Sequence, residues 1–300
     1  MGYLFLSIFL RLSSLLTPRA WRRMAGPIAG LIWLVSARLR TATLINLALA
    51  YPELTQRERT RLGRESLRHY VLNIVEVGAF WYWPLERLDA LVDPPAGRRH
   101  YEEAKASGRG IVFLAPHFGA WEAMTVWGRD YVDGAALYKP GRGATIQRKL
   151  RRKRKRFGMR LVPATRAGLR VIYQSLHEGK AVGVLPDQEP SLGQGHFAPF
   201  FGVPALTATL VPRLIRKTGC RVVFAVCMRT PGGRFQLHFV PPEEAIHSED
   251  LDTALAALNR GVERCIALDP AQYLWPYKRF KHRPPGEARI YRKKSRPASG

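Results

Sequence analysis

Short apolar runs bounded by glycine and proline alternate along this chain with stretches in which apolar residues recur every third or fourth position. Ile111–Ala115 is apolar throughout, opens after Gly110 and stops at Pro116; it is too short for a helix and predicts a buried strand. Ala181–Leu185 has the same make-up and stops at Pro186, and Ala135–Lys139 predicts another strand ending at Pro140. Arg221–Met228 and Phe235–Val240 alternate like the arms of a hairpin joined through Pro231-Gly232-Gly233. Helical spacing marks Ala120–Trp127, Arg166–Leu176, a segment from Leu206 to Lys217 beginning near Thr207, and Asp250–Ala267, with a short helix at His100–Lys105. Thr55-Gln56-Arg57-Glu58 is a capping box, and Leu62, Leu67, Val71, Ile74 and Val75 continue helical spacing to Phe80, predicting one long amphipathic helix. It runs into Trp81-Tyr82-Trp83-Pro84, which fits an apolar groove, a membrane interface or plain core packing. Pro94-Pro95 breaks the chain, and the glycine-, proline- and phenylalanine-rich stretch Gly193–Ala205 predicts a loop that shapes an apolar pocket. Strands alternating with helices in this way predict an α/β chain with one main domain.

The N-terminus departs from that rhythm. Met1–Leu10 is apolar until Arg11 interrupts it, and Met24–Ala37 is bracketed by Arg22, Arg23, Arg38 and Arg40. A single spanning helix needs about 20 apolar residues, so these pieces fit an interfacial anchor, or one signal-anchor with Arg11 tolerated, better than a polytopic protein. Trp21 and Trp33 suit an interface as well; the alternative is two buried helices of a soluble core. The first basic residues follow the apolar run instead of preceding it, which disfavours a cleaved signal peptide.

Composition sharpens the choice of partner. With 300 residues, 46% hydrophobic, the chain can bury a full core, and its formal net charge of +25 calls for anionic partners: nucleic acid, phosphate-bearing lipid surfaces or acidic carrier proteins. Lys149–Arg156 is the densest basic run, readable as a solvated helix face or a nucleic-acid patch; only Phe157 follows it, so the aromatic platform of a nucleic-acid site is missing and no nucleic acid is expected. Cys220, Cys227 and Cys265 have neither paired nor metal-ligand spacing and read as core residues of a reducing compartment. The basic, apolar-poor end from Arg289 reads as a mobile tail or surface strap.

The candidate chemistry lies just beyond the first buried strand. His117 falls in the connection after Pro116, and Glu122 falls in the expected first helical turn, where a carboxylate suits the positive helix end. A histidine beside a carboxylate takes a proton from a hydroxyl, because the carboxylate sets the imidazole tautomer and stabilises the imidazolium. No serine or cysteine near His117 stands in a nucleophile-elbow context, so attack by an acceptor hydroxyl on an acyl thioester is more economical than a covalent acyl-enzyme. Helix amides after His117 or a nearby arginine would serve the oxyanion. Asp187 follows Pro186 much as His117 follows Pro116; strand ends gather ligands in open α/β sheets, so the two could face one crevice, Asp187 being otherwise an N-cap or turn residue. The segment lacks the second histidine of a zinc-protease helix, and neither metal nor cofactor is expected.

Taken in order, Asn46–Pro52, Pro116-His117-Phe118-Gly119-Ala120-Trp121-Glu122, Tyr138-Lys139-Pro140, Pro186-Asp187-Gln188, Phe200–Ala205, and Gln272–Trp275 with Arg279-Phe280-Lys281 resemble the lipid A biosynthesis late acyltransferases, the lauroyl/myristoyl acyltransferase family. The resemblance covers about Leu44 to Tyr291. It implies a glycerolipid-acyltransferase-like α/β fold, a central mixed sheet flanked by helices; together with the patterning above this gives a membrane anchor or interfacial helices over residues 1–40, the acyltransferase domain over 41–285 and a basic flexible tail over 286–300. It implies an enzyme at the cytoplasmic face of the inner membrane that moves a fatty acyl chain from acyl carrier protein to a hydroxyl of a hydroxyacyl chain on a phosphorylated glucosamine disaccharide, a lipid A precursor of lipopolysaccharide biosynthesis. His117 is then the base and Glu122 its partner, while Arg156, with Arg152 or Arg154 as neighbours able to take its place, joins Asp187, Lys139 and Gln188 as substrate contacts. The acidic carrier, the phosphorylated acceptor and the anionic membrane surface would share one positive field. Lys139 stands where the family often has arginine, and Pro276-Tyr277-Lys278 where an isoleucine-histidine-arginine type sequence is common. Other acceptors, ornithine lipids or mannosylated phosphatidylinositol, stay open, as does a non-catalytic basic module acting through Lys149–Arg156.

Overall fold

The computed structural model describes residues 2–139, 152, 154 and 156–291; most of the basic run, Pro140–Gly143 and the end of the tail lie outside the described residues. Six helices come first: α1 (Gly2–Ser14), α2 (Pro18–Val35), α3 (Ala37–Ala50), α4 (Gln56–Val75), α5 (Val77–Tyr82) and α6 (Leu85–Asp89). Thr17 caps α2 ahead of Pro18, and the Thr55–Glu58 capping box of α4 is closed in both directions. The long helix expected to reach Phe80 breaks at Glu76, whose buried carboxylate turns inward to Arg229.

The remainder is α/β: β1 (Val92–Ala96), α7 (Arg98–Ala106), β2 (Ile111–Leu114), α8 (Met124–Trp127), β3 (Ala136–Tyr138), β4 (Leu161–Pro163), α9 (Arg166–His177), β5 (Ala181–Val184), β6 (Gly195–Phe200), β7 (Val203–Ala208), α10 (Leu210–Thr218), β8 (Arg221–Thr230), β9 (Arg234–Val240) and α11 (Leu251–Ala267). Seven strands form one mixed sheet in the order β1-β9-β8-β2-β5-β3-β4, parallel throughout except at the β8/β9 hairpin. β2 lies at its centre and is covered on both faces, which is why it reads as an unbroken apolar run. Val112 and Leu114 join Val222, Ile172, Leu214 and Leu258 in one core, whereas Ile111 and Phe113 meet Tyr101, Val223 and Phe239 on the other side.

Three local expectations are corrected. Gly193–Ala205 is not a loop: β6 and β7 pair antiparallel around Phe201-Gly202, both at positive φ as a tight hairpin turn requires, and Phe201 is held there against Tyr51 and Trp275. The helix after it starts at Leu210, because the residues before it are taken by β7. Pro94 and Pro95 do not stop a strand, since β1 lies at the sheet edge where missing amide donors are tolerated.

The N-terminal helices share the molecule's core. One stripe of α2, Trp21, Ala25, Ala29 and Trp33, packs with Leu67, Val71 and Val75 of α4, while Leu31, Leu34 and Val35 on its other side, and Leu12 and Leu15 nearby, are exposed. Among the described residues no single helix is long and apolar enough to cross a membrane; only α2 and α3 together reach that length, bent by 96°.

Candidate active site

Register brings the site together. Leu114 of β2 pairs with Val184 of β5 at the ends of the two parallel strands, and three residues beyond each end the chain reaches His117 and Asp187. The side chains therefore meet at the same edge of the sheet although 70 residues separate them in sequence. The turn after His117 is tied down by its neighbours: Gly119 N–H donates to the Gln272 carbonyl, Ala120 N–H to that of Cys227, and Leu274 N–H to that of His117. Gly119 has φ +57°, and a Cβ there would fall 2.0 Å from the Cys227 carbonyl oxygen, so glycine alone lets this turn sit on β8. The Gln272–Trp275 block thus supports the histidine loop from behind.

His117 Nδ1 lies 2.8 Å from Asp187 Oδ1, and His117 N–H donates to Oδ2, also at 2.8 Å. The carboxylate is 2% exposed and the imidazole 15%. Burial alone would push the Asp187 carboxyl up; the charge and hydrogen bonds of His117 outweigh it and hold it below the usual carboxylate range. An ionised Asp187 accepts, so Nδ1 carries the proton, and in the neutral ring Nε2 then presents its lone pair, which the Gln188 amide meets at 3.1 Å. This is an imidazole oriented as a base.

The structure gives His117 a different carboxylate from the one five residues away. The segment after Gly119 is a 3-10 turn, Trp121–Ala123, followed by the single turn of α8, and the Glu122 carboxylate points to Arg154, which donates from Nε at 3.0 Å and Nη2 at 2.6 Å, and to Trp81 Nε1 at 3.2 Å. Burial would lower the Arg154 pKa, but Glu122 more than offsets it and the guanidinium sits above its ordinary value. Arg156 instead donates to the backbone carbonyls of Trp81 and Trp83 at the end of α5. His117, Glu122, Arg154, Gln188 and the exposed Lys139 all border one cavity of about 750 Å³, whose walls include Phe113, Met124, Leu137, Met159, Leu185 and Leu258. That volume falls within the roughly 300–1,000 Å³ usual for ligand sites. Among the described residues no group of three His, Cys, Asp or Glu side chains is placed to hold a metal ion. Sequence reasoning passed over Glu189 and His282; a second histidine after a basic stretch carries no signal until the loop that receives it is known.

Glu122→Ala would strand a mostly buried guanidinium. Breaking a buried pair from one side costs ~3–5 kcal/mol, and the lower end is expected here because Arg154 keeps one-fifth of its side-chain surface exposed. The denaturant midpoint should drop accordingly, and the double variant Glu122→Ala/Arg154→Met should recover part of the loss; equal stability of the single variant and the wild type would show that the pair is not a structural tie.

A histidine-carboxylate pair at the carboxyl edge of a mostly parallel sheet, beside a largely apolar cavity, is an arrangement suited to acid-base chemistry on a molecule with an apolar portion. A model of the bacterial lipid A biosynthesis acyltransferases matches residues 1–282. The lipid A biosynthesis lauroyltransferase of Escherichia coli (strain K12) is 29% identical over 298 residues, 91% of this chain and 96% of that protein. The palmitoleoyltransferase of the same organism is 30% identical over 252 residues, covering 82% and 80%, and its myristoyltransferase 28% over 287 residues, covering 93% and 87%. The chain belongs to the bacterial lipid A biosynthesis acyltransferase family, and it is an acyltransferase of lipid A biosynthesis.

Proposed function

We propose that this enzyme transfers a fatty acyl chain from acyl carrier protein to a hydroxyl of a lipid A precursor, with His117 as general base. The observation that carries the reading is the orientation of His117: Asp187 holds the proton on Nδ1 and leaves the basic Nε2 at a largely apolar cavity. The acceptor hydroxyl gives its proton to Nε2 as its oxygen attacks the thioester carbonyl. The tetrahedral oxyanion collapses, the carbon-sulfur bond breaks, and the imidazolium returns the proton to the thiolate. Arg154, fixed by Glu122 on the same cavity, supplies positive charge to the oxyanion or to an acceptor phosphate, and Lys139 supplies it at the exposed rim. Arg156 serves this site indirectly, through the backbone of Trp81 and Trp83.

Within this reading, residues 1–40 form the membrane-contacting part and 41–285 the acyltransferase domain. Phe9, Leu12, Leu15, Met24, Leu31 and Leu34 present an apolar surface flanked by the exposed Arg19, Arg23 and Arg38, the composition of helices that lie in an anionic interface at the cytoplasmic face of the inner membrane.

The test is direct. Purified protein is given carrier protein charged with labelled chains of graded length and a tetra-acylated lipid A precursor, and labelled product lipid is measured. Transfer to the precursor is expected; transfer only to another lipid, such as an ornithine lipid, would reassign the acceptor, and transfer to no lipid hydroxyl would overturn the reading.

A further inference from the structure

The loop that carries Asp187 is clasped twice in the same way. Asp187 accepts from the backbone N–H and ring Nδ1 of His117. Two residues on, Glu189 accepts from the backbone N–H of His282 at 3.0 Å and pairs with its ring Nδ1 at 2.8 Å, while Glu189 N–H donates to the Tyr277 hydroxyl. Both carboxylates are buried, so the backbone on either side of Gln188 is pinned. Gln188 itself is only partly buried, and among the described residues its only side-chain hydrogen bond is the one to His117 Nε2. Since Nδ1 carries the imidazole proton, it is the Gln188 N–H that meets the Nε2 lone pair.

That lone pair is the group an acceptor hydroxyl must reach. We propose that Gln188 is a stand-in for the acceptor: its amide caps the basic nitrogen of His117 until a substrate hydroxyl displaces it, and so keeps the base from activating water against a bound acyl thioester. The proposal rests on His117 being the base. The displacement needs only rotation of a flexible side chain, because the two clasps hold the backbone still. The guarded side reaction is balanced: water loses a proton to Nε2 as its oxygen attacks the thioester carbonyl, the carbon-sulfur bond breaks, and the proton passes to the thiolate, leaving free fatty acid and thiol. His117 is 15% exposed, so water has access to the ring once the amide is gone.

The experiment compares wild type with Gln188→Ala and Gln188→Glu, using the charged carrier protein described above. Without acceptor, release of free fatty acid should rise about three- to tenfold in Gln188→Ala, the worth of one net hydrogen bond expressed as a ratio, and with acceptor the ratio of transfer to hydrolysis should fall. An unchanged ratio would sink the proposal. Gln188→Glu places an acceptor where the lone pair points and favours the imidazolium; the acid limb of the pH–rate profile should move to higher pH, and the ring-nitrogen NMR signals of His117 should move toward those of the protonated ring relative to wild type at the same pH. This second readout needs no turnover. Should wild type transfer nothing to any lipid, the functional reading fails, yet the NMR comparison still decides whether Gln188 sits on the base; identical His117 signals in wild type and Gln188→Glu would refute that contact.

Discussion

Replacing His117 with alanine should lower kcat by about 10²–10⁴-fold, the usual contribution of a positioned general base, while leaving KM for the charged carrier protein nearly unchanged. The hydroxyl attacked into the ester would then have to lose its proton to water within a largely apolar cavity, and no other imidazole borders that cavity among the described residues. The fold should persist, because the site's backbone does not depend on the ring: Gly119 and Ala120 are tied to Gln272 and Cys227 through main-chain bonds that the variant keeps. A modest cost remains, since Asp187 loses one of its two bonds from His117 and an under-satisfied buried acceptor costs ~1–3 kcal/mol. Circular dichroism and a denaturant midpoint separate that loss from the chemical one, and His117→Gln, which can still donate to Asp187 but has no basic nitrogen, should be as inactive as alanine with a smaller stability cost. An active His117→Gln protein would remove His117 from the chemistry altogether.

Much of this arrangement was visible in the chain before folding, for physical reasons that also mark where it was not. β2 and β5 announce themselves because strands covered on both faces must be apolar at every position, and the prolines that end them mark where His117 and Asp187 leave the sheet. β1 and the β6/β7 hairpin were hidden by the same residue types that usually signal loops; an edge position excuses the prolines of β1, and aromatic packing on Tyr51 and Trp275 holds Phe201 in its unusual turn. The pairing of carboxylates was the harder question. Glu122 is near His117 in sequence, and a regular helix from Ala120 made it the natural partner, but the chain forms a 3-10 turn there and the nearer carboxylate arrives from β5 through strand register. Within the basic run, Arg152, Arg154 and Arg156 are chemically alike, and nothing short of their placement tells that Arg154 meets Glu122 while Arg156 holds the end of α5.

Asp187→Asn turns that distinction into a measurement. The asparagine Oδ1 can still accept the His117 backbone N–H, which directs the amide nitrogen at Nδ1; a donor now faces Nδ1, the proton moves to Nε2, and the lone pair needed for the acceptor hydroxyl is gone. Loss of the orienting carboxylate in a serine-protease triad costs on the order of 10⁴ in kcat through the same change of tautomer, and a fall of about 10³–10⁴-fold is expected here. Glu122→Gln keeps an acceptor for Arg154 and Trp81 and should lose far less; the opposite ranking of the two variants would return the role of orienting carboxylate to Glu122. Stability offers an independent check with a defined sign. The folded state holds Asp187 below the ordinary carboxylate value, so its contribution is fully present above the unfolded-state value of about 3.9 and fades as pH falls through the lower, folded-state value. The denaturant midpoint of Asp187→Asn should therefore lie below that of wild type at neutral pH, and the gap should narrow on acidification; a gap that stays constant with pH would mean that the ionised carboxylate and its histidine do not hold each other in place.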